Sequence, residues 1–157
     1  MTHQPDCPLC QTANPAEVIW QNDKLRVIRV DDADFPGFTR VIWHDHVSEM
    51  TDLADADRQA FMDVVWQVEA VMRAELQPHK VNVAQLGNMV PHLHWHIIPR
   101  WPLDSRFPDA IWAPPREGSA AQHEAWPAFS EGLTQRLPAY CQALQQALNK
   151  RFGSAHS

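Results

Sequence analysis

His92-Leu93-His94-Trp95-His96-Ile97-Ile98 is the stretch of this sequence that decides the fold and the site. Side chains alternate between the two faces of a β-strand. A strand here would therefore present its three histidines on one face and Leu93, Trp95 and Ile97 on the other. Desolvating three imidazoles that have no task costs free energy, so a merely solvated polar face on an edge strand is the weaker interpretation. The pattern predicts a strand with one apolar face in the core and one chemically active face.

Two kinds of chemistry fit these alternating histidines. In the first, His94 and His96 are a pair of metal ligands, which requires a carboxylate or a third histidine close by, and the next acid along the chain is Asp104. In the second, a neutral imidazole attacks phosphorus and forms a covalent phosphoramidate, so that one displacement is split into two. The neighbouring imidazoles would then hold the nucleophile and supply a proton.

The segments around the histidines predict an antiparallel sheet of about five strands. Short stretches of alternating or continuous apolar residues, bounded by turn residues, indicate strands. Two of them read as a hairpin, and the last two are joined by the loop 87–91. The predicted strands cover residues 18–20, 24–30, 38–43, 80–86 and 92–98.

Two helices complete the predicted α+β fold. The first covers 55–77, where apolar residues recur at spacings of three and four and Pro78 ends the helix. Beyond residue 99 prolines punctuate a loop, and a second helix is predicted over 137–151 with Pro138 in its first turn. We expect residues 1–113 to form the domain that carries the site, and 114–157 to be a loop and helix extension packed on it.

The composition narrows the classes of partner. The chain has 157 residues and a formal net charge of -6, which argues against a general binder of polymeric nucleic acid or of membrane surfaces. It has no apolar run of roughly 18 residues and no signal-peptide pattern, so we expect a cytoplasmic protein without a membrane segment. An acidic protein that handles phosphate must do so locally, with backbone amides and a few donors.

Cys7 and Cys10 form a C-x-x-C pair near the N-terminus. Without a secretory pattern, such a pair favours metal or redox chemistry over a disulfide framework. A redox pair is expected to follow a strand and open a helix, and Pro8 fits that context poorly. Cys141 falls on the apolar stripe of the second predicted helix, where we expect a core residue.

Several segments together resemble one family. The triad stretch resembles the histidine-triad (HIT) signature, in which three histidines alternate with hydrophobic residues and two hydrophobics follow. The resemblance covers about residues 5–113. Its other parts are the N-terminal Cys pair of many bacterial members (7–10), the apolar strand that ends in a basic turn and a histidine (38–47), the strand with its Asn (81–83), the phosphate-loop Gly (Gly87) and a downstream segment (107–112).

The resemblance implies an enzyme that hydrolyses or transfers nucleotides, such as dinucleoside polyphosphates or nucleoside phosphoramidates. His94 would be the nucleophile that attacks the α-phosphate, and His96 would contact the phosphate and assist the leaving group. Members of this family are usually homodimers, so the resemblance also implies a homodimer. No organic cofactor is expected.

The resemblance also assigns binding residues. Asn82 and Asn88 would be donors to phosphoryl oxygens, together with amides of the loop at Gly87. Asp31 would bind ribose hydroxyls, with Asp32 as the alternative. A structural zinc ion would be held by the set Cys7, Cys10, His46 and His92, with His44 as a competitor for His46.

Two departures from the family pattern keep other functions open. Met89 stands where many members have a hydroxyl residue that can donate to the leaving group, and Phe38 stands where they have His. These departures motivate a non-catalytic nucleotide-binding module as an alternative. A zinc-dependent hydrolase that uses His94 and His96 as ligands is the other alternative.

Arg100 and three tryptophans have open roles. Arg100 would pair either with a phosphate or with a carboxylate on the long helix. Trp101, Trp112 and Trp126 would either pack in the core or stack on a base.

Overall fold

Five strands form one antiparallel sheet in the order β1-β2-β3-β5-β4. The computed structural model describes residues 3–11, 14–118 and 120–153. The sheet confirms the predicted α+β class, and every predicted strand is present with shifts of a few residues. The strands are β1 Val18–Gln21, β2 Leu25–Arg29, β3 Thr39–Trp43, β4 Lys80–Ala84 and β5 His94–Arg100.

The register of the central strands fixes which side chains share a face. Arg40 of β3 lies opposite His96 of β5, and Ile42 lies opposite His94. Since directly opposed residues point to the same side of a sheet, these four residues define one face, which we name the triad face. The residues between them in sequence point to the other face, where Val41 is fully buried in the hydrophobic core and Trp95 is partly buried against it.

The two edges of the sheet differ. Strand β1 has four residues and its pairing with β2 is irregular between Val18 and Trp20. Strand β4 pairs in regular register with β5 over its whole length, from Lys80 to Ala84. Irregular short edges resist pairing with another chain, whereas regular ones present unpaired backbone groups.

Helix α1, Asp55–Leu76, packs on the core face of the sheet. Its predicted apolar stripe is buried throughout, and the prediction of its end was off by one residue because Gln77 adopts a left-handed conformation (φ 52°) just before Pro78. The acidic side chains of Asp55 and Asp57 lie in the first turn, where they interact favourably with the helix dipole. The stripe consists of Phe61, Val65, Val68, Met72 and Leu76.

Helix α2, Ala120–Phe152, is much longer than predicted and contains both Pro127 and Pro138. The prediction of a start at residue 137, with Pro127 in a loop, is wrong. A proline inside a helix costs about 3 kcal/mol, but apolar residues before residue 137 pack on the core and offset that cost. Leu133 is buried there, and Phe129 packs on Trp101 with ring centroids 5.8 Å apart.

Polar contacts tie α2 and the residue that follows it to the sheet. The hydroxyls of Tyr140 and Thr39 are 2.8 Å apart, and both residues are fully buried. The indole Nε1 of Trp20 donates to the carbonyl of Gly153 at 2.8 Å. Within the described residues, neither helix carries a stretch apolar and long enough to cross a bilayer.

Candidate functional site

His94 is the first residue of β5, and a hydrogen bond fixes the tautomer of its imidazole. Its Nδ1 lies 2.6 Å from the carbonyl oxygen of His92. Because a carbonyl only accepts, Nδ1 carries the proton, and Nε2 is left with its lone pair. Burial lowers the pKa of His94 below its usual value and the charge of Arg40 adds to this, against the opposing hydrogen bond to His92. A neutral imidazole with an available Nε2 is the form that a nucleophile requires.

His96 is held by aromatic rings. Its centroid lies 4.6 Å from that of His94, 5.6 Å from Phe38 and 5.2 Å from Trp112. Its Nδ1 is buried and has no hydrogen-bond partner among the residues that the structure describes. Burial, followed by His94 and Arg40, lowers the pKa of His96 to about 3. His96 is therefore neutral near pH 7.

His92 lies outside the strand, in the bend before β5, so the prediction that the strand begins at residue 92 is wrong. The backbone N–H of His92 donates to the carbonyl of Val90 at 2.8 Å, which closes a tight turn instead of a ladder bond. Its ring Nε2 lies 2.6 Å from the carbonyl oxygen of Trp43. Nε2 is therefore the protonated nitrogen, and the lone pair of Nδ1 points elsewhere.

The lone pair of His92 points to the predicted cysteine pair. Its Nδ1 lies 3.5 Å from the Sγ atoms of both Cys7 and Cys10, and Cys10 Sγ lies 3.4 Å from Nδ1 of His46. The ligand atoms of all four residues lie within 4.8 Å of one another. The structure thus brings the four predicted zinc ligands together, whereas His44 is not part of this cluster.

The dimensions of the cluster fit a tetrahedral zinc ion. Zinc bonds of about 2.3 Å to sulfur and about 2.0–2.1 Å to nitrogen imply S···N separations of about 3.6 Å, close to the distances between Cys10, His46 and His92. Two thiolates and two imidazoles are a closed set of structural type. The hydrogen bond from His92 to Trp43 is the kind of outer contact that orients a ligating imidazole.

The residues predicted to bind phosphate are spread over β4 and the following loop. Asn82 is in β4, opposite Ile98, and its Oδ1 accepts from Nη1 of Arg100 at 2.7 Å, so its amide N–H groups remain the available donors. Gly87 has φ +84°, a conformation that favours glycine. Asn88 is exposed, and the side chain of Met89 is 94% exposed.

The two candidate ribose-binding acids differ in their contacts. The carboxylate of Asp31 is 86% exposed and lies 3.5 Å from Nη1 of Arg29. Oδ1 of Asp32 accepts from the backbone N–H groups of Asp34 and Phe35, at 2.9 and 3.2 Å.

The interpretation that Arg100 pairs with a carboxylate on the long helix is wrong, because its partner is Asp104. The guanidinium is fully buried and pairs with Asp104, with Nε–Oδ2 at 2.8 Å and Nη2–Oδ1 at 2.9 Å. Asp104 also accepts from the backbone N–H groups of Trp101 and Arg106. The backbone turns back just after β5, where the N–H of Asp104 donates to the carbonyl of Trp101 at 3.0 Å. That turn brings the carboxylate of Asp104 to Arg100, in place of the predicted helix carboxylate.

Sequence reasoning missed Arg40 and left Trp112 undecided. Residues 38–43 read as an apolar strand, so the cation within it received no role, although alternate positions of that strand share the face of His94 and His96. Trp112 is half-exposed beside His96, whereas Trp101 is buried in the core.

A five-stranded antiparallel sheet with His94 and His96 on one face and His92 in the turn before them defines a histidine-triad fold. Residues 11–103 match the HIT domain family model, which is more than half of the chain. The chain therefore belongs to the HIT domain family.

Solved structures have a similar fold. A histidine triad protein from Marinobacter aquaeolei VT8 is 25% identical, with a TM-score of 0.57 over 78% of this chain and 92% of that one. One from Bradyrhizobium japonicum is 23% identical, with a TM-score of 0.58 over 80% and 96%. A zinc-bound family member from Mycobacterium smegmatis is 19% identical, with a TM-score of 0.53 over 88% and 97%. A comparison with curated protein sequences gives no match.

Proposed function

We propose that this HIT protein is a nucleotide hydrolase or transferase that works through a nucleotidyl-histidine intermediate on His94. The observation that carries the proposal is the hydrogen bond between Nδ1 of His94 and the carbonyl of His92 at 2.6 Å, which leaves Nε2 as a neutral nucleophile. The proposed substrates are dinucleoside polyphosphates, nucleoside phosphoramidates or related nucleotides. Family membership supports the nucleotide part of the proposal.

The proposed reaction has two displacements at the α-phosphorus. Nε2 of His94 attacks and forms a P–N bond, while the bond to the leaving group breaks and the leaving group departs with that electron pair. His96 contacts the phosphate and assists this departure with its ring N–H. Water then attacks the same phosphorus and releases a proton to the solvent, and the P–N bond breaks with its electron pair returning to Nε2. His94 is thereby regenerated and the nucleoside monophosphate is released.

Binding of the substrate is proposed to use the loop between β4 and β5. The amide of Asn82, the side chain of Asn88 and the backbone at Gly87 would donate to phosphoryl oxygens. Asp31 would accept from ribose hydroxyls. The contacts of Asp32 with the backbone of its own loop support it as the alternative acceptor.

We propose a structural zinc ion at Cys7, Cys10, His46 and His92. When bound, it would tie the N-terminal segment to the turn before β5. No step of the proposed reaction passes through it. The site residues are proposed to belong to a unit of residues 1–113, with 114–157 as its packed extension.

We further propose that the protein acts as a homodimer in the cytoplasm, with no polymeric nucleic acid and no membrane as partner. The regular edge strand β4 supports the dimer, as do exposed apolar side chains on or near it and on α1, namely Val83, Leu86 and Trp66. The net charge of -6 supports the exclusion of nucleic acid.

The test replaces the nucleophile. His94→Ala should abolish hydrolysis of a panel of nucleoside phosphoramidates and dinucleoside polyphosphates while nucleotide affinity stays within about threefold, because the attacking atom is lost and the proposed phosphate donors remain in place. Quenching wild-type turnover of an α-phosphorus-labelled substrate should trap label on the protein, and the variant should trap none. His123→Ala, an exposed position on α2, is the matched control. Unchanged turnover in His94→Ala refutes the assignment.

The non-catalytic binding module remains the second candidate because Met89, in the loop before β5, cannot donate to a leaving group. It predicts saturable mononucleotide binding with no trapped label. The zinc hydrolase is less well supported, because in the described part of the chain His94 and His96 belong to no cluster of three or more metal-ligating groups. It predicts that a chelator removes activity before it affects stability.

A further inference from the structure

Arg40 is a cation on the triad face to which the proposed reaction gives no role. It lies directly opposite His96 in the pairing of β3 with β5, so their Cβ atoms are about 4.5–5.5 Å apart and that of His94, on the diagonal, is about 7–8 Å away. Burial is the largest cause of the lowered pKa of His94, and the charge of Arg40 lowers it further. For His96, burial is again the largest cause of the lowered pKa, followed by His94 and then Arg40. Its guanidinium thus shares the space into which both imidazoles point.

The hydrogen-bonding groups of Arg40 are not committed to protein atoms. Its Nε is buried without an acceptor, and in residues 3–11, 14–118 and 120–153 no carbonyl or side chain accepts from its terminal nitrogens. Arg26, on the same face, differs because its terminal nitrogens donate to the carbonyls of Leu9 and Gln11. Asp32 favours the charged form of Arg40 but directs Oδ1 to its own backbone.

Phe38 holds this cation beside the triad. The guanidinium carbon of Arg40 lies 5.2 Å from the centroid of the Phe38 ring, and the same ring lies 5.6 Å from His96. Burial lowers the pKa of Arg40, yet an arginine stays charged at physiological pH. A partly desolvated cation with unused donors attracts an anion more strongly than one in water.

We propose that Arg40 binds the phosphoryl oxygens of the ligand at the triad site, with Phe38 as its positioning residue. The proposal rests on the proposed function, because it takes the ligand to be a nucleotide whose phosphate faces His94. A guanidinium fork matches two phosphoryl oxygens. It supplies local positive charge in a protein whose net charge of -6 would otherwise repel the ligand.

The test separates phosphate binding from nucleoside binding. Titration calorimetry with the four common nucleoside 5′-monophosphates and their nucleosides identifies the tightest pair for wild type. Arg40→Gln should raise the Kd of that monophosphate at least tenfold and that of its nucleoside less than twofold, and Arg40→Lys should lie between. Arg73→Gln, which removes an equal charge from an exposed position on α1, should change neither.

Two results would overturn the proposal. One is an Arg40→Gln protein that keeps its monophosphate affinity within twofold, and the other is a wild type that binds nucleoside and monophosphate equally well. If circular dichroism shows that Arg40→Gln does not fold, Arg40→Lys takes its place. Its Kd values for the monophosphate and the nucleoside are compared with those of wild type, with inorganic pyrophosphate as competitor. Affinity does not depend on turnover, so phosphate binding through Arg40 without trapped label on His94 would reject the proposed hydrolase and retain this proposal.

Discussion

The buried pair of Arg100 and Asp104 gives a prediction whose size follows from the structure. Four donors converge on the Asp104 carboxylate, two from Arg100 and one each from the backbone of Trp101 and Arg106. Asp104→Asn keeps the shape but removes the charge and turns an N–H group toward a donor. Breaking one partner of a buried ion pair costs about 3–5 kcal/mol. Because no cavity forms, we expect a loss near the lower end, about 3 kcal/mol in the free energy of unfolding.

The assay is urea unfolding followed by the fluorescence of the seven tryptophans. Asp109→Asn is the matched control, since Asp109 pairs with Arg116 at 3.0 Å with both side chains about half-exposed, and such pairs contribute about 0–1 kcal/mol. The two variants lose the same charge from the same segment. A loss below about 1 kcal/mol for Asp104→Asn, or equal losses for both, would refute the reasoning that burial sets the cost.

Three further predictions concern the triad, the metal cluster and α2. The pKa of His96 is lowered to about 3 in the folded protein, so as pH falls below about 6.5 the unfolded chain binds a proton at this histidine before the folded chain does. Between pH 7.5 and 5, wild type should therefore lose roughly 2 kcal/mol more stability than His96→Asn in paired urea titrations. Equal pH dependence of the two proteins would contradict this. Cys7→Ser should lose stoichiometric zinc by metal analysis and melt at lower temperature, whereas Cys141→Ser should keep the metal; zinc retained by Cys7→Ser would count against the cluster. Tyr140→Phe leaves the buried hydroxyl of Thr39 with only its contact to the carbonyl of Gly37 and should cost about 1 kcal/mol; no measurable loss would mean that this bond contributes nothing.

Local pattern predicted the elements well where one period dominated. The apolar stripe of α1 specifies a helix and its buried face, and both are confirmed. The alternation in β5 specifies a strand, which is present but begins at His94 instead of His92. The start of α2 was missed because a proline normally breaks a helix. Only the tertiary packing of residues such as Leu133 shows why the helix continues through Pro127 and Pro138.

The candidate site could be predicted only where the spacing of residues along the chain indicates which of them act together. Spacing alone pairs Cys7 with Cys10, but His46 and His92 lie far from them in sequence, and only the family resemblance joined all four before the structure did. The partner of Arg100 depends on the turn between Trp101 and Asp104, which no sequence pattern predicted.

Arg40 was missed for a different reason. A strand that looks apolar overall can still place one cation opposite a histidine, and this is visible only from the register between β3 and β5. Reading both neighbouring strands for the residues at matching alternate positions would have raised Arg40 as a candidate.

The contrast between the two edges of the sheet limits what the protein can assemble into. If copies join through β4, each subunit uses the same strand, so the contact is self-complementary and closes after two chains. Growth into a filament would need a second sheet edge that can pair with another chain. The other edge strand is β1, which is short and irregularly paired. The fold thereby permits pairing and discourages open-ended polymerisation.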